Sequence, residues 1–408
     1  MGEHKLKENK PTLPIKEDYE SIEINGFRGI KHLKIDNLGK VNLILGKNDS
    51  GKTSLLEAIS THAAGHHLAF FLNHIVNGRE LVSGLFPEYV VDQLVNIFNV
   101  ECEPSLRLNI IAKFVNISQK YEHALNFKAA NQFSNVIPRY LRESTSTQDF
   151  SFVKDKNPML HLGGQNDPQF AMINATMNQV IGLLQVQSNS IKNDVYLTMP
   201  SINMLQGQAI KHSYKPFYFS HLNAYNDGRI FDDLKREDLY QALLDNLNSV
   251  FDPIKSIDYF RYDHNVQGNL YITKQNNTRL PISSFGDGFR KLLFITAQLM
   301  FYKNVLICVD EVDINFHHSL QKKFSTLLSR ISQTNNNQIF LTTHSVEFID
   351  NFLSALYDDG NEFGFTEAND PVRVITLQRD EKTGQVSVWN RTGADAHYIR
   401  SQLAMEIR

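Results

Sequence analysis

The chain is poor in cysteine, in long apolar runs and in net charge. Its 408 residues include 2 cysteines, Cys102 and Cys308, which exclude a disulfide framework and a cysteine zinc site and fit a reducing compartment. No apolar run approaches the ~18 residues of a membrane span, and the polar stretch up to Glu20 has no apolar signal segment. We therefore expect a soluble, cytoplasmic protein without a membrane partner.

The near-balanced charge also limits the partners. A formal net charge of −3 gives no global attraction to nucleic acid, although it leaves a local basic groove open. A basic set that would serve such a groove is interleaved with acids, which favours a solvated face. Its members are Lys211, Lys215, Arg229, Lys235 and Arg236.

Apolar strands and helix-like runs alternate along the chain, which predicts an α/β fold. The first lobe reads as a mixed sheet, and the second as a mainly parallel core sheet flanked by helices, because its apolar strands lack alternation. The predicted parts are a flexible tail at 1–20, lobe I at 21–128, an inserted helical subdomain at 129–215 and lobe II at 216–408.

The predicted insertion differs in composition from both lobes, being rich in Ser, Asn and Gln. An apolar stripe at helical spacing indicates a helix there, although it is too short for a coiled coil and more typical of packing. The stripe consists of Ile173, Met177, Val180 and Leu184.

A glycine-rich loop at 46–53, GKNDSGKT, follows the apolar strand 41–45 and precedes a helix-like run. In that setting backbone N–H groups close on phosphate, and the helix N-terminus adds a favourable field. Lys52 would then reach the β and γ phosphates of ATP, and Thr53 would place its hydroxyl on Mg²⁺. The alternative is a chance match in an ordinary turn.

Two buried strands in lobe II end in chemically active residues. Asp310 and Glu311 follow the strand 305–309, and His344 follows the strand 338–341. Asp310 would hold Mg²⁺ through water, Glu311 would orient and deprotonate the attacking water, and His344 would sense the γ-phosphate. The alternatives are a pair of acids that cap a turn and a structural histidine.

Residues 284–288, SFGDG, open another helix with a serine hydroxyl and flexible glycines. By itself the string reads as an N-cap with a glycine turn. As an anion receptor it is redundant with the first loop in a single chain, which indicates a dimer.

Together GKNDSGKTS, SFGDGFRK, LICVDE and TTHS resemble the Walker A, signature, Walker B and H-loop motifs of ABC-type ATPases. The opening FRGIKHLKI and Asn48 are similar to the SMC, RecF and OLD branch, and most similar to short OLD-like AAA-type ATPases of prokaryotes. The resemblance covers about 21–60 and 216–408 and implies an ABC-type P-loop head.

The resemblance also implies roles for individual residues. It places Asp313 and His317 in a loop that crosses the interface between protomers, Glu311 as base and His344 as switch. Thr53 and Asp310 are the implied metal ligands. The implied nucleotide-binding residues are Gly46, Asn48, Ser50, Gly51, Lys52, Thr53 and Ser54, with Ser284 and Gly286 reaching the ATP of the opposite protomer.

Two departures from the family pattern concern the rate of hydrolysis. Phe285 and Asp287 stand in place of glycine and glutamine, and no lid glutamine can be assigned. After Ser345 the chain is too short for the Toprim nuclease of OLD relatives. A nuclease or toxin effector is therefore expected on a separate polypeptide.

The motifs predict an ATPase that forms a homodimer around ATP and controls a separate effector, and the family resemblance implies a setting of bacterial antiphage defence or DNA repair. The alternatives are a nucleotide-gated scaffold with little turnover and a DNA-repair clamp of the SMC and RecF type. A weaker alternative concerns zinc, since four histidines cluster without the glutamate of a zinc protease motif. They are His62, His66, His67 and His74.

Overall fold

The computed structural model describes residues 18–64, 107–116, 120–129, 159–162, 179–188, 191–199, 217–219, 228–260, 269–313, 318–361, 363–366, 369–403, 405 and 407. The helices are α1 (Lys52–Ala64), α2 (Arg229–Arg236), α3 (Tyr240–Val250), α4 (Asp287–Phe301), α5 (His318–Thr334), α6 (Val346–Tyr357) and α7 (Gly393–Gln402). The strands are β1 (Tyr19–Phe27), β2 (Ile30–Ile35), β3 (Val41–Leu45), β4 (Arg107–Phe114), β5 (Tyr121–Ala129), β6 (Met159–Leu162), β7 (Gln179–Ser188), β8 (Ile191–Met199), β9 (Phe217–Phe219), β10 (Ile254–Phe260), β11 (Asn269–Lys274), β12 (Arg279–Pro281), β13 (Leu306–Val309), β14 (Gln338–Thr342), β15 (Val372–Arg379) and β16 (Val386–Thr392).

In the described part of the chain these strands form three sheets. The core sheet has the order β16-β15-β3-β14-β13-β9, and only its β15–β16 pair is antiparallel. An antiparallel sheet has the order β2-β1-β4-β5-β7-β8-β6, and β10, β11 and β12 form a small third sheet. Strand β3 of the predicted lobe I therefore lies between two strands of the predicted lobe II, and the boundary between the lobes stays a prediction.

The core sheet is covered on both faces, as its uninterrupted apolar strands predict. Because successive side chains of a strand point to opposite faces, each strand divides its residues between two cores. Ile44 and Phe340 pack with α1 and the antiparallel sheet, whereas Leu43 and Leu341 pack with the helices of lobe II. This arrangement fixes the ends of β3, β13 and β14, which carry the predicted site.

The helical prediction for the insertion is wrong where the structure describes it. Val180 and Leu184 lie in β7, which pairs with β5 and β8 and extends the antiparallel sheet. A spacing of four residues places side chains on one face of a strand as well as on one face of a helix, so this pair of residues could not separate the two. Ile173 and Met177 lie outside the described residues.

The remaining elements follow the sequence pattern with small shifts. The segment 229–250 folds as two helices, α2 and α3, separated around Asp238, whose φ is +58°. The closing helix α7 and the short strand β12 were not predicted. In the part of the chain that the structure describes, no helix has both the length and the apolar character to cross a membrane.

Candidate functional site

The phosphate loop, residues 46–53, joins β3 to α1 through backbone torsions that favour glycine. The φ angle is +150° at Gly46, +62° at Asp49 and +99° at Gly51. A Cβ atom at Gly46 would lie 2.4 Å from Ser50 Oγ and 2.5 Å from the carbonyl oxygen of Leu377. The loop is therefore closed around Gly46, and the first turn of α1 directs its N–H groups toward it.

Two basic side chains donate hydrogen bonds to the backbone of this loop. The buried Lys52 folds back over it, and Nζ donates 2.8 Å hydrogen bonds to the carbonyl oxygens of Gly46 and Lys47. Arg379, at the end of β15, donates from Nε to the carbonyl oxygen of Asp49 at 2.8 Å. Positive charge thus surrounds a loop whose backbone suits an anion. Nothing in the local sequence around Arg379 indicated this contact.

Asp310 is the point where the loop meets the ends of two core strands. It follows β13, is 1% exposed, and accepts a 2.9 Å hydrogen bond at Oδ2 from Thr53 Oγ1. Its Oδ1 accepts a 2.5 Å hydrogen bond from Thr342 Oγ1 at the end of β14. The carboxyl ends of parallel strands form the edge at which α/β sheets bind ligands. Thr342 belongs to the TTHS string, but no pattern in the string indicated a role for it.

Glu311 follows directly and has a strained backbone, with φ at +48°. Its N–H donates to Thr342 Oγ1 at 2.7 Å, and its carbonyl oxygen accepts a 2.5 Å hydrogen bond from Lys291 Nζ. Lys291 also donates to the carbonyl oxygen of Asp310 at 2.9 Å. Strain of this kind persists where surrounding contacts enforce it, and here both sides of the Glu311 backbone are held.

Lys291 lies on α4, is 4% exposed and was missed by the sequence reasoning. Burial lowers the pKa of its ammonium group to about 8, while the nearby carboxylates of Asp310, Asp313 and Glu311 oppose that shift. The signal available in the sequence was a lysine on the apolar face of a helix that follows a glycine turn.

His344 is exposed, as are Ser284 and Gly286 of the serine-glycine turn, residues 284–286, while Phe285 between them is partly buried. His344 lies between Thr343, which is buried and bonded to β3, and Ser345, which caps α6. The turn packs against β11, and a Cβ atom built at Gly286 would meet nothing within 4 Å. The structure therefore groups Lys52, Thr53, Asp310 and Glu311 around one strand edge and leaves open space beside Gly286.

The side chains at this edge fit a magnesium ion. A threonine hydroxyl and an aspartate carboxylate are oxygen ligands of the kind Mg²⁺ takes in nucleotide sites. Thr53 and Asp310 supply them at a separation of 2.9 Å, next to the lysine of the phosphate loop.

The other predicted residues have varied surroundings. Asn48 is exposed on the loop and Ser54 is partly buried in the first turn of α1. Lys235 pairs with Asp258, and Arg236 with Asp233, which agrees with a solvated face. Lys211, Lys215 and His317 lie outside the described residues, as does the side chain of Arg229.

His62 has the contacts of a packing residue. Its Nδ1 accepts from the Tyr19 hydroxyl at 2.8 Å, and its Nε2 lies 3.3 Å from the Tyr121 carbonyl oxygen. Burial lowers its pKa to about 4. The described residues contain no group of three or more His, Cys, Asp and Glu side chains that would hold a metal. His66, His67 and His74 lie outside them.

A glycine loop closed on a buried lysine, a helix directly behind it and acids at the edge of a mainly parallel sheet define a P-loop ATPase head. The chain belongs to the AAA ATPase domain family, whose match covers residues 19–349. The predicted enzymatic activity, hydrolysis of ATP, is the activity of this family.

Three known proteins are similar to this chain. An "ATP/GTP phosphatase" of Helicobacter pylori is 25% identical over 343 residues, covering 81% of this chain and 86% of the relative. The SMC head domain of Pyrococcus furiosus, solved with the C-terminal domain of ScpA, is 12% identical with a TM-score of 0.49, covering 95% and 100% of the two chains. The SMC head domain of Thermotoga maritima is 11% identical with a TM-score of 0.42, covering 92% of this chain and 99% of the other.

Proposed function

We propose that this ATPase is a switch whose catalytic site is completed by a second copy of the chain. The observation that carries the proposal is the exposed serine-glycine turn at the start of α4, with open space beside Gly286. A free helix N-terminus with a serine hydroxyl suits a phosphate group, and the chain's own phosphate loop already supplies one such receptor. The second receptor would therefore face the nucleotide of the partner.

The residues at the strand edge suit hydrolysis of the terminal phosphate. Lys52 and the loop N–H groups would bind the phosphates, and Thr53 and Asp310 would hold Mg²⁺, which neutralises charge on the phosphate oxygens. Glu311 would take the proton of a water whose oxygen bonds to the γ-phosphorus, while the bond from that phosphorus to the β-phosphate oxygen breaks and ADP leaves. His344 would contact the γ-phosphate and report its loss.

We propose further that the paired state controls a separate effector, a nuclease or toxin, in antiphage defence. The support is the resemblance of the four motifs to short OLD-like ATPases. Co-expression with the product of a neighbouring gene tests this directly. The effector's activity should differ between wild type and a Lys52→Ala variant, whereas equal activity with both would oppose the proposal.

A nucleotide-gated scaffold is the second candidate, favoured by the contacts of the two residues that depart from the family pattern. Phe285 stacks on Phe289 at a centroid distance of 4.8 Å, and Asp287 pairs with Arg290, so both side chains are engaged within the chain. Steady-state turnover separates the candidates. Multiple turnovers per chain, with or without DNA, support the switch, and stoichiometric nucleotide with negligible turnover supports the scaffold. DNA affinity that rises with ATP and falls steeply with salt would instead indicate a repair clamp.

A further inference from the structure

Helix α4 connects two functional regions of the same chain. Its N-terminus carries the serine-glycine turn, and Lys291, four residues after Asp287, contacts the end of β13. Four residues of α-helix span only about 6 Å. The receptor proposed for the partner's nucleotide and the support of the chain's own Glu311 therefore belong to one short rigid segment.

The contacts of Lys291 fix the backbone from which the Glu311 side chain projects. Its Nζ donates to the carbonyl oxygens of both Asp310 and Glu311, at 2.9 and 2.5 Å. Glu311 is held in the left-handed region, with φ at +48°, which an unrestrained glutamate rarely adopts. A shift of Lys291 would therefore change the direction of the Glu311 carboxylate.

The turn is coupled to the body of α4 by aromatic packing. Phe285 stacks on Phe289, which packs edge-to-face on Phe251 of the segment after α3 at 4.7 Å. A displacement of the turn would thus carry α4 with it and would not be absorbed in a flexible hinge.

We propose that Lys291 is a positioning residue that transmits occupancy of the serine-glycine turn to Glu311 of the same chain. Engagement of the turn by the partner's nucleotide sets Glu311 for hydrolysis of the chain's own nucleotide, so the two sites of a pair are active together. This inference rests on the proposed pairing around ATP.

Lys291→Met tests the positioning role, since methionine fills a similar volume without a donor. We expect turnover to fall on the order of tenfold or more, with nucleotide affinity and ATP-dependent pairing close to wild type. Lys291→Arg should recover part of the loss, because a guanidinium can donate to both carbonyl oxygens. Lys291→Gln, which keeps one donor, replaces Met if that variant does not bind nucleotide. Unchanged turnover in a folded, pairing variant would overturn the inference.

Hybrid pairs test the transmission. In a pair of one Lys52→Ala chain and one wild-type chain, the wild-type chain's Glu311 serves the single intact site, while its own turn faces the defective loop. We expect that site to run on the order of tenfold slower than a wild-type site, and Lys291→Met on the wild-type chain to add little further loss. A hybrid at half the wild-type rate, or a full additional loss from Lys291→Met, contradicts the transmission.

A measurement of ATP-dependent pairing distinguishes failure of the proposed function from failure of the role proposed for Lys291. If a Glu311→Gln chain fails to pair with ATP, the proposed function itself is wrong. If it pairs and the hybrid runs at half the wild-type rate, only the role of Lys291 is wrong.

Discussion

Thr53 Oγ1 donates a 2.9 Å hydrogen bond to Asp310 Oδ2 and so joins the first turn of α1 to the end of β13. The two residues lie 257 positions apart in the sequence. Their contact brings the phosphate loop and the acid-ended strand into one site, and the same two residues would hold the proposed magnesium ion, Asp310 through water.

Thr53→Val keeps the shape of the side chain and removes this hydroxyl. We expect Mg²⁺-dependent turnover to fall on the order of 100-fold, because the variant lacks one ligand of the ion that would neutralise charge developing on the phosphate oxygens. Thr61→Val is the matched control on the same helix, because the Thr61 hydroxyl bonds only locally, to the Glu57 carbonyl oxygen at 2.7 Å. Steady-state assays over a Mg²⁺ titration measure both variants, and equal losses would show a general effect on α1.

Glu311→Gln removes the proposed base and keeps the size of the side chain and one acceptor oxygen. Turnover should drop by roughly 10²–10⁴-fold while ATP remains bound. Glu347→Gln, an exposed glutamate in the first turn of α6, serves as the control and should be active. Phosphate release under single-turnover conditions measures the rate of hydrolysis, and nucleotide-binding curves for the same variants show whether ATP still binds. A Glu311→Gln enzyme with the wild-type rate would remove Glu311 from the mechanism.

Gly46→Ala should deform the phosphate loop. The new Cβ would lie 2.5 Å from the Leu377 carbonyl oxygen, a backbone atom of β15 that cannot move aside. Because this clash adds to the strain of the positive φ, we expect a loss of about 2–4 kcal/mol in the free energy of unfolding and weak nucleotide binding. Gly360→Ala shares a positive φ but meets nothing within 4 Å, so about 1–2 kcal/mol is expected. Urea unfolding compares them, and an equal loss for both would show that the clash is absent.

The stability of the fold should depend on pH through His62. Burial lowers its folded-state pKa from 6.5 to about 4. Between these two pH values the unfolded chain therefore binds a proton at His62 and the folded chain does not. The free energy of unfolding should therefore fall between pH 6.5 and 4, by up to about 3 kcal/mol from this group, and level off below pH 4. In His62→Gln that decline should shrink. Parallel wild-type and variant curves across this range would contradict the assignment.

Local strings of sequence indicated much of the site. The loop at 46–53 and the ends of β13 and β14 follow from glycine positions and from apolar runs that end in polar residues. The contacts made by Lys291 and Arg379 could not be predicted, because each joins residues that only the folded sheet brings together. The helical prediction for the insertion failed for a different reason, because the spacing of Val180 and Leu184 fits a helix and a strand equally.

Pairing around ATP is the central claim, and analytical ultracentrifugation of two variants tests it most directly. With saturating ATP, Glu311→Gln should sediment as a pair that carries one nucleotide per chain. Adding Ser284→Arg places a bulky cation at the exposed turn, so the double variant should bind ATP equally well and remain a single chain. Pairing of the double variant as tight as that of Glu311→Gln, or a Glu311→Gln protein that stays single with ATP bound, would contradict a site shared between two copies.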